Sequence, residues 1–212
     1  MSLRAEAKPS TVRYLAKQSF NRTGIATSPK KFGGIFQGPH NDKRENDFFL
    51  LVSRLVSYKR VDIAIAACNK LGLPLRIVGS GRELRKLKAM AGPTIEFLGN
   101  LTDSMLSRYY DGCSAFIYPS VEDFGVAVLE AQSFGKPVIA FKGGGTLETI
   151  VEQKTGEFFY PQTAGALAKV LATFDAAKYN RTDCIKNAER FSEERFKEEF
   201  RNMIQKYLQL VK

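Results

Sequence analysis

The sequence has no tryptophan, one histidine and three cysteines, and each scarcity excludes a class of chemistry. With His40 as the only histidine, catalytic triads built on histidine and most histidine-rich metal sites lack their main ingredient. Cys68, Cys113 and Cys184 are widely spaced and form no Cys-x-x-Cys pair. That spacing favours separate thiols over a disulfide framework or a zinc site.

Long apolar runs are also missing. No uninterrupted stretch approaches the ~20 residues of a membrane-spanning helix, although 44% of the residues are apolar. The first residues, Met1-Ser2-Leu3-Arg4, lack the apolar core of a secretory signal. Together with the scattered thiols, these features predict a cytoplasmic protein. The 212 residues are enough for one well-packed domain and an additional segment.

The net charge of +10 is concentrated near the start of the chain. Residues 1–46 carry nine Lys and Arg against three Asp and Glu, so the remaining residues are only mildly basic. Nucleic-acid binding would require a basic face with aromatic platforms or a known reader motif. The sequence shows neither, and we expect no nucleic-acid partner. The charge is then either an ordinary solvated surface or a weak attraction to anionic lipid headgroups at the inner membrane surface.

Residues 1–46 differ from the rest of the chain in composition and in their lack of a regular apolar pattern. They contain Pro9, Pro29 and Pro39 and show no sustained period beyond a short helix around Thr11–Phe20. We predict an irregular basic segment over 1–46 and one folded domain with a C-terminal helix over 47–212.

From Phe48 onward, apolar runs typical of strands alternate with stretches of helical period. The predicted strands are Phe48–Val52, Leu75–Val78, Ile95–Leu98, Ala115–Tyr118 and Val138–Phe141. The predicted helices between them are Val61–Leu71, Arg82–Ala91, Ser104–Asp111 and Val126–Phe134. This alternation predicts an α/β fold, a Rossmann-like parallel sheet with helices on both faces.

The last predicted helix carries one apolar stripe, capped by Ser192. Its residues recur every three or four positions: Phe196, Phe200, Met203, Tyr207 and Leu210. Such a stripe either closes the core of its own domain, the commoner case, or packs on another surface, a second copy of the chain included.

Two cations and two carboxylates follow apolar strands, where an α/β sheet usually binds its ligand. Arg54 and Lys59 share the loop after the first strand, and Glu122 and Glu130 bracket the start of a helix after the fourth. Cations suit phosphates, and carboxylates accept hydrogen bonds from sugar hydroxyls. The combination indicates a nucleotide-sugar. Taken alone, each pair is more commonly an ordinary surface feature. Only the presence of both pairs at the ends of strands favours a functional interpretation.

Other chemistries fit less well. Paired carboxylates also suggest a glycoside hydrolase, but a hydrolase has no obvious use for phosphate-binding cations. No Walker-type motif is present, which disfavours an ATPase. Gly79-Ser80-Gly81 is a weak signal, because such turns are common. Gly143–Gly145 is either a flexible turn or part of the site.

The segments Ser53–Asp62 and Glu122–Glu130 resemble the signature segments of the retaining glycosyltransferases of family four. The Arg-x4-Lys and Glu-x7-Glu elements carry most of this resemblance. Gly143–Ile150 and the turn Val78–Gly81 extend it from Phe48 to the C-terminus. The sequence around Arg54 and Glu122 most resembles that of bacterial and archaeal mannosyltransferases of polysaccharide and lipopolysaccharide assembly.

The resemblance implies roles for the residues. Arg54 and Lys59 would hold the donor diphosphate and Glu122 the donor sugar, and we take these three as the catalytic set. Transfer in this family is independent of metal and cofactor, and it retains the sugar's configuration. The other implied donor-binding residues are Gly79 and Leu98 beside the base, Phe124, Gly125 and Val126 near sugar and phosphate, and Glu130 at the ribose.

The family's GT-B fold places two Rossmann-like domains across a cleft, and the first normally helps to recognise a glycan or lipid-linked acceptor. Residues 1–46 are too few and irregular for that domain, so we expect this chain to be one half of the fold and inactive alone. In the family the last helix usually touches the other domain. Two alternatives are a non-catalytic nucleotide-sugar-binding module and half of a nucleotide-sugar 2-epimerase, although catalytic histidines of an epimerase are not identifiable.

Overall fold

A computed structural model of the chain describes residues 47–210 and contains one sheet of six parallel strands. The basic segment predicted over 1–46, with its short helix around Thr11–Phe20, lies outside the described residues. The strands are β1 (Phe49–Val52), β2 (Leu75–Val78), β3 (Ile95–Gly99), β4 (Ala115–Tyr118), β5 (Val138–Phe141) and β6 (Gly156–Phe159).

The strands lie in the order β3-β2-β1-β4-β5-β6. Phe49 of β1 pairs with Leu75 of β2 on one side and with Ala115 of β4 on the other. The chain therefore winds outward from β1 to β3, returns to the centre and winds the other way from β4. This Rossmann order confirms the predicted α/β fold class and places a crevice at the carboxyl ends of β1 and β4.

Eight α-helices connect and follow the strands in the described part of the chain. They are α1 (Val61–Leu71), α2 (Leu84–Met90), α3 (Asp103–Gly112), α4 (Val126–Ser133), α5 (Thr146–Thr149), α6 (Ala164–Thr173), α7 (Arg181–Glu189) and α8 (Glu193–Leu210). Two single 3-10 turns cover Ser57–Lys59 and Ala176–Lys178. The four helices predicted between strands are confirmed, with each end within two residues.

Sequence analysis missed β6, α5, α6 and α7. The strand β6 begins with Gly156 and contains Glu157, so it lacks the apolar run that identified the other strands. Helix α7 is mostly polar, which hides its helical period. Local signals were nevertheless present, because the side chains of Thr163 and Asn180 accept hydrogen bonds from the first turns of α6 and α7.

The core lies on both faces of the sheet. Phe49 and Leu51 of β1 pack with helices α1 and α6 on one face, whereas Leu50 packs with α3 and α4 on the other. Successive side chains of a strand point to opposite faces, so a continuous apolar strand requires two covering layers. The arrangement explains why the strands read as apolar runs without alternation.

The three cysteines are buried free thiols, as predicted. Burial raises the pKa of Cys68 and of Cys113 to about 12. Both thiols are therefore protonated and poor nucleophiles near neutral pH.

The last helix, α8, begins after Ser192, whose hydroxyl accepts a hydrogen bond from the Arg195 amide at 3.4 Å. Its apolar stripe does not close the domain core as expected. Neither core cluster includes a described side chain of α8, and Phe200 and Tyr207 are 38% and 61% exposed. No helix within 47–210 combines the length and apolar content needed to cross a bilayer.

Candidate functional site

The candidate site lies at the carboxyl ends of β1 and β4, the two strands at which the winding direction reverses. Arg54 and Lys59 follow β1, and Glu122 and Gly125 follow β4. Because these strands are hydrogen-bonded neighbours, their loops are about 5 Å apart at their origins. Residues separated by more than sixty positions in the sequence thus share one crevice.

The loop of residues 53–60, which we call the cation loop, is fixed by its main chain. The amide of Ser53 donates to the Val78 carbonyl at 3.0 Å, and the amide of Leu55 donates to the Ser80 carbonyl at 2.9 Å. Gly79 permits this close approach, since a Cβ there would overlap with the carbonyl group of Ser53. The Gly79-Ser80-Gly81 turn therefore holds the cation loop in place.

Arg54 and Lys59 both contact the intervening Tyr58. The Arg54 guanidinium donates a hydrogen bond to the Tyr58 hydroxyl at 2.9 Å, and the Lys59 ammonium lies 5.3 Å from the centre of the Tyr58 ring. The two cations consequently stay on the same side of the crevice. Tyr58 itself is 52% exposed, so its position is set by these contacts and not by burial.

Lys59 also reaches across to the loop after β4, where its ammonium forms an ion pair with the Glu122 carboxylate. The second oxygen of Glu122 accepts a hydrogen bond from the Tyr118 hydroxyl at 2.6 Å. The structure therefore brings the three residues of the predicted catalytic set together, with Arg54 linked through Tyr58.

Two opposing effects act on the Lys59 ammonium. Burial lowers its pKa to about 8, and the nearby positive charge of Arg54 acts in the same direction. The contact with the Glu122 carboxylate favours the charged form. Lys59 is therefore protonated near neutral pH and sensitive to any change of charge beside it. Burial raises the pKa of Tyr118 to about 12, so its hydroxyl keeps the proton that it donates to Glu122.

The loop of residues 119–125, which we call the carboxylate loop, is held by the glycine turn Gly143–Gly145. The Gly145 amide donates to the Glu122 carbonyl at 2.7 Å. A Cβ on Gly144 would lie 2.5 Å from that carbonyl oxygen, and one on Gly145 would overlap with the main chain of Asp123. The turn is thus a tight support for Glu122, which corrects the alternative interpretation of a merely flexible connection.

Helix α4 starts directly after the carboxylate loop. Gly125 precedes it at φ +79°, a left-handed conformation that favours glycine, and a Cβ there would lie 3.4 Å from the Tyr118 ring. The buried ring of Phe124 packs edge-on against Phe191 at 5.6 Å. As in any helix, the first amides, beginning with Val126, have no partner within the helix and can face an anion at the crevice.

Glu130 lies within α4 and is partly buried against α3. Its carboxylate accepts a hydrogen bond from the Tyr110 hydroxyl at 2.8 Å. Burial raises the pKa of Glu130, and the hydrogen bond from Tyr110 acts in the opposite direction. Glu130 is therefore separate from the contact between Lys59 and Glu122, as expected for a residue that addresses a different part of an elongated ligand.

The two residues predicted beside the base lie along the same edge of the sheet. Gly79 follows β2, one strand from β1, and Leu98 lies near the end of β3, two strands from β1. Strand spacing puts Leu98 roughly 10 Å from the end of β1. Their role at a base stays a prediction.

Sequence analysis missed the three tyrosines that hold the site. Tyr58, Tyr110 and Tyr118 each donate to or accept from one of the predicted site residues. The partners of Tyr58 and Tyr118 are four positions away, whereas Tyr110 meets Glu130 from another helix, 20 positions away. Tyr58 did lie inside the segment between Arg54 and Lys59, the one signal that pointed to it.

The cations of the site lie on one loop and the Glu122 carboxylate on the other, and the two loops meet in the contact between Lys59 and Glu122. Such an arrangement can bind a phosphate group and neighbouring hydroxyls at once. Within residues 47–210, no group of three or more His, Cys, Asp or Glu side chains is arranged to hold a metal ion.

Comparison with solved structures identifies the architecture. The chain is similar to Anabaena Alr3699/HepE in complex with UDP and glucose, with a TM-score of 0.65, 21% identity, and coverage of 94% of this chain and 53% of that chain. It is also similar to a sucrose-phosphate synthase from Thermosynechococcus elongatus, with a TM-score of 0.66, 27% identity, and coverage of 92% and 56%. The chain thus corresponds to about half of each structure, and the shared fold is that of GT-B glycosyltransferases.

Sequence comparison finds relatives among glycosyltransferases. An uncharacterized glycosyltransferase of Haemophilus influenzae is 33% identical over 131 residues, which are 57% of this chain and 36% of that protein. A GDP-mannose-dependent alpha-mannosyltransferase of Corynebacterium glutamicum is 34% identical over 106 residues, 50% of this chain and 25% of that protein. The chain therefore spans about a third of the length of these curated relatives or less.

The family model described as "Glycosyl transferases group 1" matches residues 35–191, which include both loops of the candidate site. The match covers well over half of the chain. This chain belongs to the group 1 glycosyltransferases.

Proposed function

We propose that this chain binds a nucleotide-diphospho-sugar, GDP-mannose or a close analogue, as the donor domain of a retaining hexosyltransferase. The observation that carries the proposal is the contact between Lys59 and Glu122, with Arg54 beside it. In a nucleotide-sugar, the sugar is bonded directly to the terminal phosphate. A binding site must therefore place its cations next to its hydroxyl acceptors, as these two loops do.

The relatives support the donor class without agreeing on one donor. The Corynebacterium relative is described as GDP-mannose-dependent, whereas the Anabaena structure contains UDP and glucose. We favour a guanine nucleotide and mannose, because the residues around Arg54 and Glu122 most resemble mannosyltransferases. Gly79 and Leu98 would then flank the base and Glu130 the ribose.

In the proposed reaction, the bond between the anomeric carbon and the terminal phosphate oxygen breaks. An acceptor oxygen forms the new bond on the same face of the sugar, and its proton passes to the departing phosphate. Negative charge grows on the diphosphate as the bond breaks. In this proposal, Arg54, Lys59 and the first amides of α4 face that charge, so they would stabilise the transition state more than the ground state. These cations supply the role that a metal ion plays elsewhere, and we expect transfer without metal.

The acceptor, a glycan or a lipid-linked sugar, would be held by protein surface beyond this chain. Because positioning of reactants contributes roughly 7–11 kcal/mol to lowering a barrier, we expect residues 1–212 to bind the donor and to transfer little. A cytoplasmic location, weak contact with the inner membrane surface and a homodimer stay predictions.

The decisive experiment is calorimetry of the chain with GDP, UDP, GDP-mannose and UDP-glucose, in the presence of a chelator. We expect a diphosphate nucleotide and its sugar to bind with the metal removed. Product analysis then tests the epimerase alternative, which changes the sugar. Robust release of nucleotide with an acceptor would show that residues 1–212 transfer the sugar by themselves. Failure to bind any of the four compounds would overturn the proposal.

A further inference from the structure

A cluster of buried amide side chains lies behind the candidate site. Gln132 of α4 and the Thr149 residue at the end of α5 are fully buried, and Asn187 of α7 is 5% exposed. The Gln132 amide donates to the Thr149 carbonyl at 2.8 Å, and the Asn187 amide donates to Gln132 at 2.6 Å and to the same carbonyl at 2.9 Å. The side chains of two helices, α4 and α7, therefore meet at one main-chain carbonyl oxygen of a third, α5.

The cluster is closed on its outer side. Arg190, just after α7, donates to the Asn187 side-chain oxygen at 2.8 Å. Burying polar groups costs free energy unless each is hydrogen-bonded, and here the two amides are bonded through both their nitrogen and their oxygen. Apolar side chains of similar volume would fill this space but would leave the buried Thr149 carbonyl without these two donors. The cluster therefore ties three helices to one another through hydrogen bonds and not only through packing.

From this cluster a continuous line of hydrogen bonds reaches the site. The Thr149 hydroxyl donates to the Gly145 carbonyl at 3.0 Å, and the Gly145 amide donates to the Glu122 carbonyl at 2.7 Å. The cation loop has no part in this line, since its main chain is bonded to the residues after β2. The cluster thus supports one half of the site and not the other.

Resting on the proposed function, we propose that Gln132 and Asn187 are positioning residues for Glu122. They hold the glycine turn against the main chain of Glu122 and so fix its carboxylate where the donor's sugar binds. Neither side chain touches the donor. The diphosphate, bound by Arg54 and Lys59, does not depend on them.

The test is the ratio of two affinities, for GDP-mannose and for GDP, measured by calorimetry on residues 1–212. UDP-glucose and UDP replace them if the wild-type protein prefers uracil. Gln132→Met keeps the volume and removes both hydrogen bonds of the amide. We expect it to weaken the nucleotide-sugar about tenfold relative to the free nucleotide, equivalent to ~1.4 kcal/mol. The affinity for the free nucleotide should stay within about twofold, since a loss of ~0.4 kcal/mol is small beside a charged hydrogen bond.

Asn69→Ala is the matched control. Asn69 also joins two main-chain groups, the Met90 carbonyl at 2.7 Å and the Gly92 amide at 2.9 Å, but it lies between α1 and the loop before β3. Its loss should lower the melting temperature without moving the affinity ratio. A merely structural role of Gln132 predicts the same result for both variants.

The double variant Gln132→Met with Asn187→Leu also removes the second donor of the Thr149 carbonyl, so it should shift the affinity ratio at least as far as the single variant and melt at a lower temperature. An unchanged ratio in folded variants overturns the positioning role alone, since wild-type donor binding would still stand. Unfolding of both variants would make the cluster structural and would also overturn it. A wild-type protein that binds neither nucleotide nor nucleotide-sugar overturns the proposed function as well.

Discussion

The two loops of the site are built in opposite ways. The cation loop is fixed through its main chain to the residues after β2, while Arg54 and Tyr58 are exposed. The carboxylate loop is supported on both sides. The Gln162 amide donates to the Pro119 carbonyl at 2.8 Å, the Gly145 amide donates to the Glu122 carbonyl at 2.7 Å, and Phe124 is buried.

This difference matches what each loop has to recognise. A diphosphate is flexible and strongly charged, and long cationic side chains can follow it while donating charge-assisted hydrogen bonds. Epimeric hexoses such as glucose and mannose differ only in the direction of a hydroxyl, so a carboxylate that distinguishes them must be held still. Changes in the cation loop should therefore affect binding and spare stability, whereas changes around the carboxylate loop should affect both.

The largest effect is expected where the carboxylate loop meets the glycine turn. Gly145→Ala would force a methyl group into the main chain of Asp123 and Phe124. Neither backbone segment can move without disturbing Glu122, so we expect a loss of about 3 kcal/mol of unfolding free energy, the upper range for overpacking. Chemical denaturation of the variant and the wild type measures it.

Gly165→Ala is the control for that substitution. Gly165 lies in α6, and a Cβ there would meet no atom within 4 Å. Alanine in a helix interior should stabilise the protein by roughly 0.5–1 kcal/mol. Equal stability of both variants would show that the turn and the carboxylate loop are not in tight contact.

A second prediction concerns the opposite loop. Arg54→Ala and Lys59→Ala should each weaken binding of a nucleoside diphosphate by about 1.5–3 kcal/mol, the range for charged hydrogen bonds. Their melting temperatures should change little, because the loop is held by its main chain. Glu122→Gln should instead reduce the affinity for the nucleotide-sugar relative to the free nucleotide. Calorimetry that finds unchanged diphosphate affinity in both alanine variants would remove the basis for the assignment.

The sequence was sufficient to predict the architecture, and it singled out four charged residues, of which the structure brings Lys59 and Glu122 into contact. Apolar runs separated by helical stretches specify a parallel sheet, and loops after its strands are where ligands bind. The partners of those charges were not predictable, since the tyrosine beside Glu130 comes from another helix. Gln132 and Asn187 were missed for a similar reason. They are 55 positions apart, and no local pattern indicates that two amides are buried against each other.

The last helix shows the converse case. Its local pattern correctly predicted a helix, whereas the expectation that its apolar stripe joins the domain core was wrong for the described residues. The apolar period of α8 predicted a helix, and the structure has one over Glu193–Leu210. Where the stripe packs depends on contacts with other elements, and base rates favoured the domain's own core. Phe200 and Tyr207 are exposed instead, which leaves self-association through this stripe a prediction.

A third prediction separates the two cations by their titration. Burial lowers the pKa of Lys59 to about 8, and a bound diphosphate would raise it by favouring the ammonium. Affinity for a nucleoside diphosphate should therefore fall as pH rises through 8, by at most about tenfold, or ~1.4 kcal/mol, per pH unit. Lys59→Arg keeps its charge throughout this range and should remove most of the dependence between pH 7 and 9. An identical pH profile in both proteins would assign the titration to another group.

The smallest effect is expected at Glu130, where binding and stability should move in opposite directions. Glu130→Gln still accepts the hydrogen bond from Tyr110, but it lacks the charge that favours a ribose hydroxyl. We expect nucleotide and nucleotide-sugar to weaken alike, by about 1 kcal/mol, the difference between a charged and a neutral hydrogen bond.

Burial raises the pKa of Glu130 above its value in the unfolded chain, so its neutral form contributes stability that is present at acidic pH. That contribution is lost as pH rises through the folded pKa. The variant cannot ionise, so its melting temperature should fall less than that of the wild type between pH 5 and pH 8. Thermal denaturation at the two pH values measures this, with Glu148→Gln on the short helix α5 as a control. If Glu130→Gln and Glu148→Gln change the pH dependence equally, then Glu130 is not the buried carboxylate that opposes stability at neutral pH. In that case no buried charge would lower the stability of the carboxylate side at neutral pH, and the two loops would differ only in how their main chains are held.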